Sequence, residues 1–201
     1  MLRKNLKSII APLALWGCLA ATDVNAQTPQ GWTTSGTEAN LAAGTSYSIK
    51  VQLKSSSEPT NSPHPQFRVL NMGNTAVDLS TLTLRYWFNC DCQPETTSLA
   101  GFGDWAGMIP SGEDISPLLY GFFEPVSVGK QSHVLVLGFR NGAPLLQPGE
   151  TVQVHARINK FDWSPMPQAN DFSYAAYDDF TIWNRADAYI NGVRMWGEEP
   201  L

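Results

Sequence analysis

The sequence predicts an all-β protein, an antiparallel β-sandwich of jelly-roll type, and three observations carry that expectation. Apolar residues recur with period two in several short runs. Clusters of Gly, Pro, Asn and Ser punctuate those runs at regular spacing, and no stretch holds a helical period. Successive side chains of a strand point to opposite faces, so a period of two marks a strand with one buried face.

The elements follow in chain order. "SYSIKVQLK" places Tyr47, Ile49, Val51 and Leu53 on one face and gives way to the turn-rich "SSSEPTNSPHP". After "NMGNT", "LTLRYWFN" does the same with Leu82, Leu84, Tyr86 and Phe88. "HVLVLGF" at 133–139 is a third strand, closed by "NGAPLLQPGE". "ETVQVHARI" turns Val152, Val154, Ala156 and Ile158 one way, so Gln153, His155 and Arg157 line the other face. "AYINGVRMW" carries Asn191-Gly192, the dipeptide that tolerates the positive φ of a tight hairpin. No internal repeat and no second domain interrupt this pattern.

Ahead of these elements, residues 1–26 read as a secretory signal: Arg3, Lys4 and Lys7 precede the apolar "SIIAPLALWGCLAA", and Val24-Asn25-Ala26 offers small residues for cleavage. The apolar run is too short for a comfortable membrane span. Leu15-Trp16-Gly17-Cys18 provides an alternative lipoprotein route, with a lipid anchor on Cys18, against which Trp16 stands where a small or aliphatic residue is usual. Residues 27–45 form a polar lead-in containing Trp32, and 46–201 form the folded module. The expected product is secreted and monomeric.

Charge narrows the partners. Taking Arg3, Lys4, Lys7 and Asp23 from 13 basic and 18 acidic residues leaves 10 and 17, a net charge near −7. A chain of that sign neutralises few phosphates, which argues against nucleic acid, whereas a neutral polymer is indifferent to the field. Cys90 and Cys92 remain in the mature chain; an oxidising compartment favours a bridge between them, although the spacing is tight for one, and free thiols or a soft-metal pair are the other readings.

Functional interest centres on "HARINKFDWSPMPQANDFS" at 155–173. A polar strand face with His155 and Arg157 leads to Lys160, Asp162 and Trp163 in a turn-rich segment, a poor place for a core aromatic. One reading is a solvated face whose Trp163 folds under a loop. The other is a sugar platform, where an indole stacks on the C–H face of a pyranose and flanking polar groups bond its hydroxyls.

"SPHPQFRVLNMGNTAVDLSTLTLRYWF" at 62–88, "GDWAGM" at 103–108, "ARINKFDWS" at 156–164, "QANDFSY" at 168–174 and "AYINGVRMWGEEP" at 188–200 together resemble the family 3 carbohydrate-binding modules of bacterial cellulases and cellulosome scaffoldins. The resemblance runs in unbroken order over about residues 46–200 and implies a nine-stranded jelly-roll sandwich that binds cellulose without catalysis. Members that bind crystalline cellulose carry a flat strip of aromatics and an ion pair across one sheet. Position by position, that strip falls on Asp104, Trp105, Arg157 and Trp163, with His155 where many relatives have Gln and Asn61 at a polar anchor. A further family Tyr has no certain counterpart, Tyr120 being one candidate. The same resemblance implies a structural Ca²⁺ held around Asn89, Asp91, Pro167, Asn170 and Asp171. Proline keeps its carbonyl, so Pro167 does not spoil an oxygen site.

Two rival functions stand beside this reading. A relative without cellulose affinity would serve as an accessory surface, a role that retention of Trp105 and Trp163 argues against. A polysaccharide-active enzyme would need two carboxyls facing across a cleft. The pairs Glu113-Asp114, Asp178-Asp179 and Glu198-Glu199 are neighbours in sequence, which is usual for solvated surface.

Overall fold

Alternating burial is the rule that builds this protein. A computed structural model describes residues 46–55, 58–92, 99–100 and 103–201. The predicted leader 1–26, with Cys18, and the lead-in 27–45, with Trp32, lie outside the described residues. In chain order the strands are β1 (Ile49–Lys54), β2 (Gln66–Asn71), β3 (Val77–Asp78), β4 (Leu82–Phe88), β5 (Leu99–Ala100), β6 (Gly103–Ile109) and β7 (Leu119–Val128). They continue as β8 (Gln131–Phe139), β9 (Leu145–Leu146), β10 (Thr151–Ala156), β11 (Asn159–Lys160), β12 (Thr181–Ile182), β13 (Ala186–Ile190) and β14 (Val193–Trp196).

Two five-stranded antiparallel sheets form the sandwich, one in the order β12-β1-β2-β10-β6 and the other β14-β13-β4-β8-β7; β3-β9 and β5-β11 are short accessory ribbons. Strands distant in sequence lie side by side, β2 against β10 and β13 against β4, which is the crossed connectivity of a jelly roll. β1, β2 and β10 alternate strictly between buried and half-buried residues. Their inward residues Val51, Leu53, Phe67, Val69, Val152 and Val154 meet Leu84, Tyr86, Phe88, Leu135 and Leu137 of the second sheet in one core. The Phe67 and Tyr86 rings touch edge to face across it at 6.5 Å. Each such fully buried apolar side chain contributes about 1.5–3 kcal/mol.

Alternation breaks in two places, each with a local cause. The end of β4 is buried on both sides because Trp87 packs outward with Val134 and Val136 under Phe172. β13 is buried throughout, with Asp187 accepting from Trp87 Nε1 at 2.6 Å. Burial pushes the Asp187 carboxyl up to about 7, opposed by that indole N–H. The period-two reading found β1, β4, β8, β10 and the β13–β14 hairpin; it did not identify β7, whose outward residues include the exposed Phe122.

Asn71 fastens the end of β2. Its buried side-chain amide donates to the carbonyls of Thr75 and Leu146, both at 2.9 Å, and its oxygen accepts from the Gly73 amide at 3.0 Å. Removing a partner strands a buried carbonyl, which costs more than the bond itself contributes. Asn71→Ala is expected to lower unfolding stability by about 2–3 kcal/mol in urea titrations with an unchanged m-value; a loss below about 0.5 kcal/mol would contradict this anchoring role.

Candidate functional site

The outer face of the first sheet gathers four of the six binding residues singled out in the sequence, Asp104, Trp105, His155 and Arg157. β10 lies between β2 and β6, and its register sets His155 opposite Gln66 on one side and Trp105 on the other. Gln66 in turn faces Lys54, so one row across four strands reads Trp105, His155, Gln66, Lys54. The next row reads Gly107, Gln153, Arg68, Gln52. Gly107 makes room for the indole: a Cβ there would lie 2.4 Å from Trp105 Cζ2 and 3.1 Å from the Glu113 carbonyl. Trp105 therefore lies back over its own strand, half-buried, with its ring 4.8 Å from that of His155 and tilted by 57°.

Strict alternation would turn Asp104 to the side opposite Trp105. The pairing instead shifts between His155 and Ala156, where His155 faces Trp105 and Ala156 faces Gly103, leaving Asp104 as the extra residue of a β-bulge. Bulges re-aim the side chain they carry. Asp104 is exposed, and its Oδ1 accepts from Arg157 Nη2 at 3.1 Å. The contact is single rather than a two-point fork, and Oδ2 lies 4.0 Å from His64 Nε2. The paired side chains are 33% and 48% exposed, so water screens the ion pair to at most about 1 kcal/mol. Stability does not account for its placement.

Trp163 sits in a turn after β11, its amide donating to the Lys160 carbonyl at 3.0 Å. The residue is 51% exposed and has φ of +57°. A left-handed backbone costs a non-glycine residue roughly 1–2 kcal/mol, and a half-exposed indole recovers little of it by burial. The turn is clamped at its root: the buried Lys160 ammonium donates to the carbonyls of Asp91 and Pro165, both at 3.0 Å. Asp162 accepts from the Ser164 amide at 3.0 Å, so it serves the turn while Arg157 serves Asp104. Phe161, 76% exposed in the same turn, was not singled out from sequence; an apolar residue inside the polar "NKFDWS" was the available signal. Asn61 is exposed in a segment that continues β2. Ala156, Ile158 and Met166 donate to the carbonyls of Pro65, Pro63 and Thr60, which carries Asn61 along the chain that ends in the Trp163 turn.

Four of the five residues of the implied cation loop also converge. Asn89 bridges two carboxylates, its amide N–H donating to Asp171 Oδ1 at 2.8 Å and its side chain to Asp91 Oδ1 at 3.1 Å. Asn170 Nδ2 lies 3.4 Å from both Asp91 oxygens. Pro167 is exposed. Burial pushes the Asp171 carboxyl up to about 8, opposed by the Asn89 N–H and reinforced by the charges of Asp91 and Glu58. Cys90 and Cys92 are joined by a disulfide, with Cα atoms 4.9 Å apart and Asp91 between them at φ +48°.

Other sequence candidates fall elsewhere. Tyr120 belongs to β7 in the second sheet, its ring against Gly138, so it is not in the row of Trp105. Asp114 accepts from the Ser116 amide and hydroxyl, bonds that hold its pKa below the usual carboxylate range. Glu199 accepts from the Tyr189 hydroxyl at 2.8 Å.

A β-sandwich that presents imidazole, indole and a solvent-screened ion pair together on one sheet face has the form of a surface-binding module. A family model described as "Cellulose binding domain" matches residues 48–197, and the chain belongs to that family of non-catalytic modules. It is 38% identical over 156 residues to cellulosomal-scaffolding protein B of Acetivibrio thermocellus, covering 76% of this chain and 20% of that protein. It is 33% identical over 162 residues to a beta-mannanase/endoglucanase A of Caldicellulosiruptor saccharolyticus, covering 79% of this chain and 12% of that one. The chain thus spans a fifth or less of the length of these relatives. Among solved structures it superposes on the CBM3a-L domain with flanking linkers from a cellulosome scaffoldin of Clostridium thermocellum with a TM-score of 0.69 at 37% identity, covering 76% of this chain and 91% of that one. A family IIIA CBD from Clostridium cellulolyticum gives 0.69 at 27% identity, with 76% and 97% covered.

The backbone cost at Trp163 yields a direct test of whether the indole is structural. Trp163→Gly is expected to leave the melting temperature within about 3 °C or to raise it, because glycine takes the positive φ freely. A fall beyond about 8 °C by scanning calorimetry would mark Trp163 as a packing residue.

Proposed function

We propose that this module binds cellulose, with a preference for crystalline surfaces, through the face formed by Trp105, the Asp104–Arg157 pair, His155 and the Trp163 turn, with Asn61 as a polar anchor. The observation that carries the reading is the ion pair on its bulge beside Trp105, whose ring lies against that of His155. A neutralised acid–base couple presents no net charge to an uncharged polymer, yet keeps donors and acceptors for hydroxyls. An indole adds a C–H stacking surface. Side chains already fixed by neighbours lose little freedom when a flat polymer covers them, so preorganisation adds affinity that area alone would not give. Membership of the family and the scaffoldin and glucanase relatives support the same polymer class. They support an extracellular setting too, consistent with the signal read at residues 1–26. No helix among the described residues is long and apolar enough to cross a membrane.

Adsorption to microcrystalline cellulose tests this. Wild-type protein is expected to partition to the solid, and Trp105→Ala with Trp163→Ala to reduce the partition constant at least tenfold in protein that still unfolds cooperatively. Equal adsorption by the double variant would reject the strip. Parallel isotherms on chitin and insoluble xylan define the polymer range.

We further infer a structural Ca²⁺ at the Asn89–Asp91 and Asn170–Asp171 loops. Among the described residues no three acidic, His or Cys side chains converge on one point, so an ion here would draw on the Asp91 and Asp171 carboxylates together with amide and carbonyl oxygens of Asn89, Pro167 and Asn170. Calcium accepts such mixed oxygen sets. A buried carboxylate that already has two other carboxylates nearby is the local feature that a divalent cation would relieve. Calcium at a hundredfold excess over its dissociation constant would add about 2.7 kcal/mol, or roughly 5–10 °C in melting temperature for a domain of this size. Chelator should remove that increment in the wild type and change nothing in Asp171→Asn. A melting temperature indifferent to chelator in the wild type would remove the ion from the proposal.

A further inference from the structure

His64 was not among the residues singled out in the sequence, yet it closes the arrangement around Asp104. Oδ1 of Asp104 is engaged by Arg157 at 3.1 Å, while His64 Nε2 stands 4.0 Å from Oδ2. The His64 ring meets that of His155 edge-on at 5.9 Å, and His155 meets Trp105 at 4.8 Å. Indole, imidazole, imidazole, carboxylate and guanidinium therefore form one continuous chain of contacts. We infer that His64, together with His155, is a further element of the glucan-binding face, required there in its neutral form, so that binding to cellulose releases protons. This rests on the binding face proposed above.

Two features argue for the neutral form. His155 Nε2 is buried with no hydrogen-bond partner among the described residues, so a proton added there would be a buried, unanswered cationic N–H. Among the described residues, the charged groups acting on the pair include the cations Lys54 from β1 and Arg157 from the chain after β10, with the Asp104 carboxylate from β6 opposing them. That carboxylate is already held by Arg157. Burial is the largest influence on both imidazoles and holds both below the ordinary histidine value, with Arg157 and Lys54 pushing the same way on His64, and His64 and Lys54 on His155. Covering the face with a polymer removes more water and disfavours the imidazolium forms further.

The sign follows from linkage. If the bound state has the lower pKa, affinity is fully present above the free pKa and falls as pH drops through it. The free values lie below 6.5, so the plateau lies above about pH 6.5 and the decline below it. Cellulose itself has no group that titrates in this window, so a slope belongs to the protein. Each fully coupled proton would change affinity about tenfold per pH unit.

Adsorption isotherms of the wild type on microcrystalline cellulose between pH 5 and 7.5 test the inference. The partition constant at pH 7.5 is expected to exceed that at pH 5 by about three- to tenfold, short of full coupling. His64→Gln and His155→Gln, which keep a polar side chain but cannot titrate, should each reduce that ratio, and the double variant should bring it within about twofold of unity. The ratio is read within each variant, so a change in absolute affinity drops out, and the single variants decide the matter if the double does not fold. A wild type that binds equally at both pH values, or a slope that neither single substitution reduces, overturns the role of the histidines and leaves the strip intact. Failure to adsorb at any pH overturns both.

Discussion

One extra residue in one strand pair governs the exposed face of this protein. β6 and β10 hold register from Thr151 to His155, and then two residues of β6 answer to one of β10. Without that slip, Asp104 would follow Gly103 and Trp105 in simple alternation and turn away from Arg157. With it, a carboxylate and an indole of β6 and the guanidinium that follows β10 share the solvent side. The local geometry costs a ladder bond, which the protein can bear because the opposite face of β10 is fully committed to the core through Val152, Val154 and Ala156.

The sandwich supplies rigidity, and Lys160 distributes it. A buried ammonium needs acceptors, and this one finds two carbonyls from different parts of the chain, Asp91 and Pro165. The bond to Asp91 ties the disulfide-bearing loop to the root of the Trp163 turn. Order in the proposed cation loop and the attitude of the exposed indole are thereby mechanically connected. For the proposed adsorption such connections are favourable, since every rotamer frozen in advance is one that binding need not freeze.

Energies separate structure from function at this face. A screened ion pair contributes at most about 1 kcal/mol, and a tryptophan in left-handed backbone loses about as much. Stability alone explains neither, whereas Asn71, Tyr86 and Phe67 are explained by the core they complete. The His64–His155 pair belongs with the first group: partly exposed, and placed between the indole and the carboxylate.

Sequence by itself determined the strands whose one face is buried, because burial leaves a period of two in the residues: β1, β4, β8 and β10 were legible for that reason. It also supplied the family, through motifs spread over most of the folded module, and with it the candidates Asp104, Trp105, Arg157 and Trp163. Tertiary structure alone decided what depends on distant partners. β7 was hidden because both its faces are partly exposed and its pattern is weak. The bulge at Asp104 depends on β10, some fifty residues away. Tyr120 was assigned to the second sheet only by its pairing with Gly138. His64 had no local signal at all, since its place beside Asp104 and His155 is set by three segments brought together by sheet register, and register is a property of the fold rather than of any one stretch of chain.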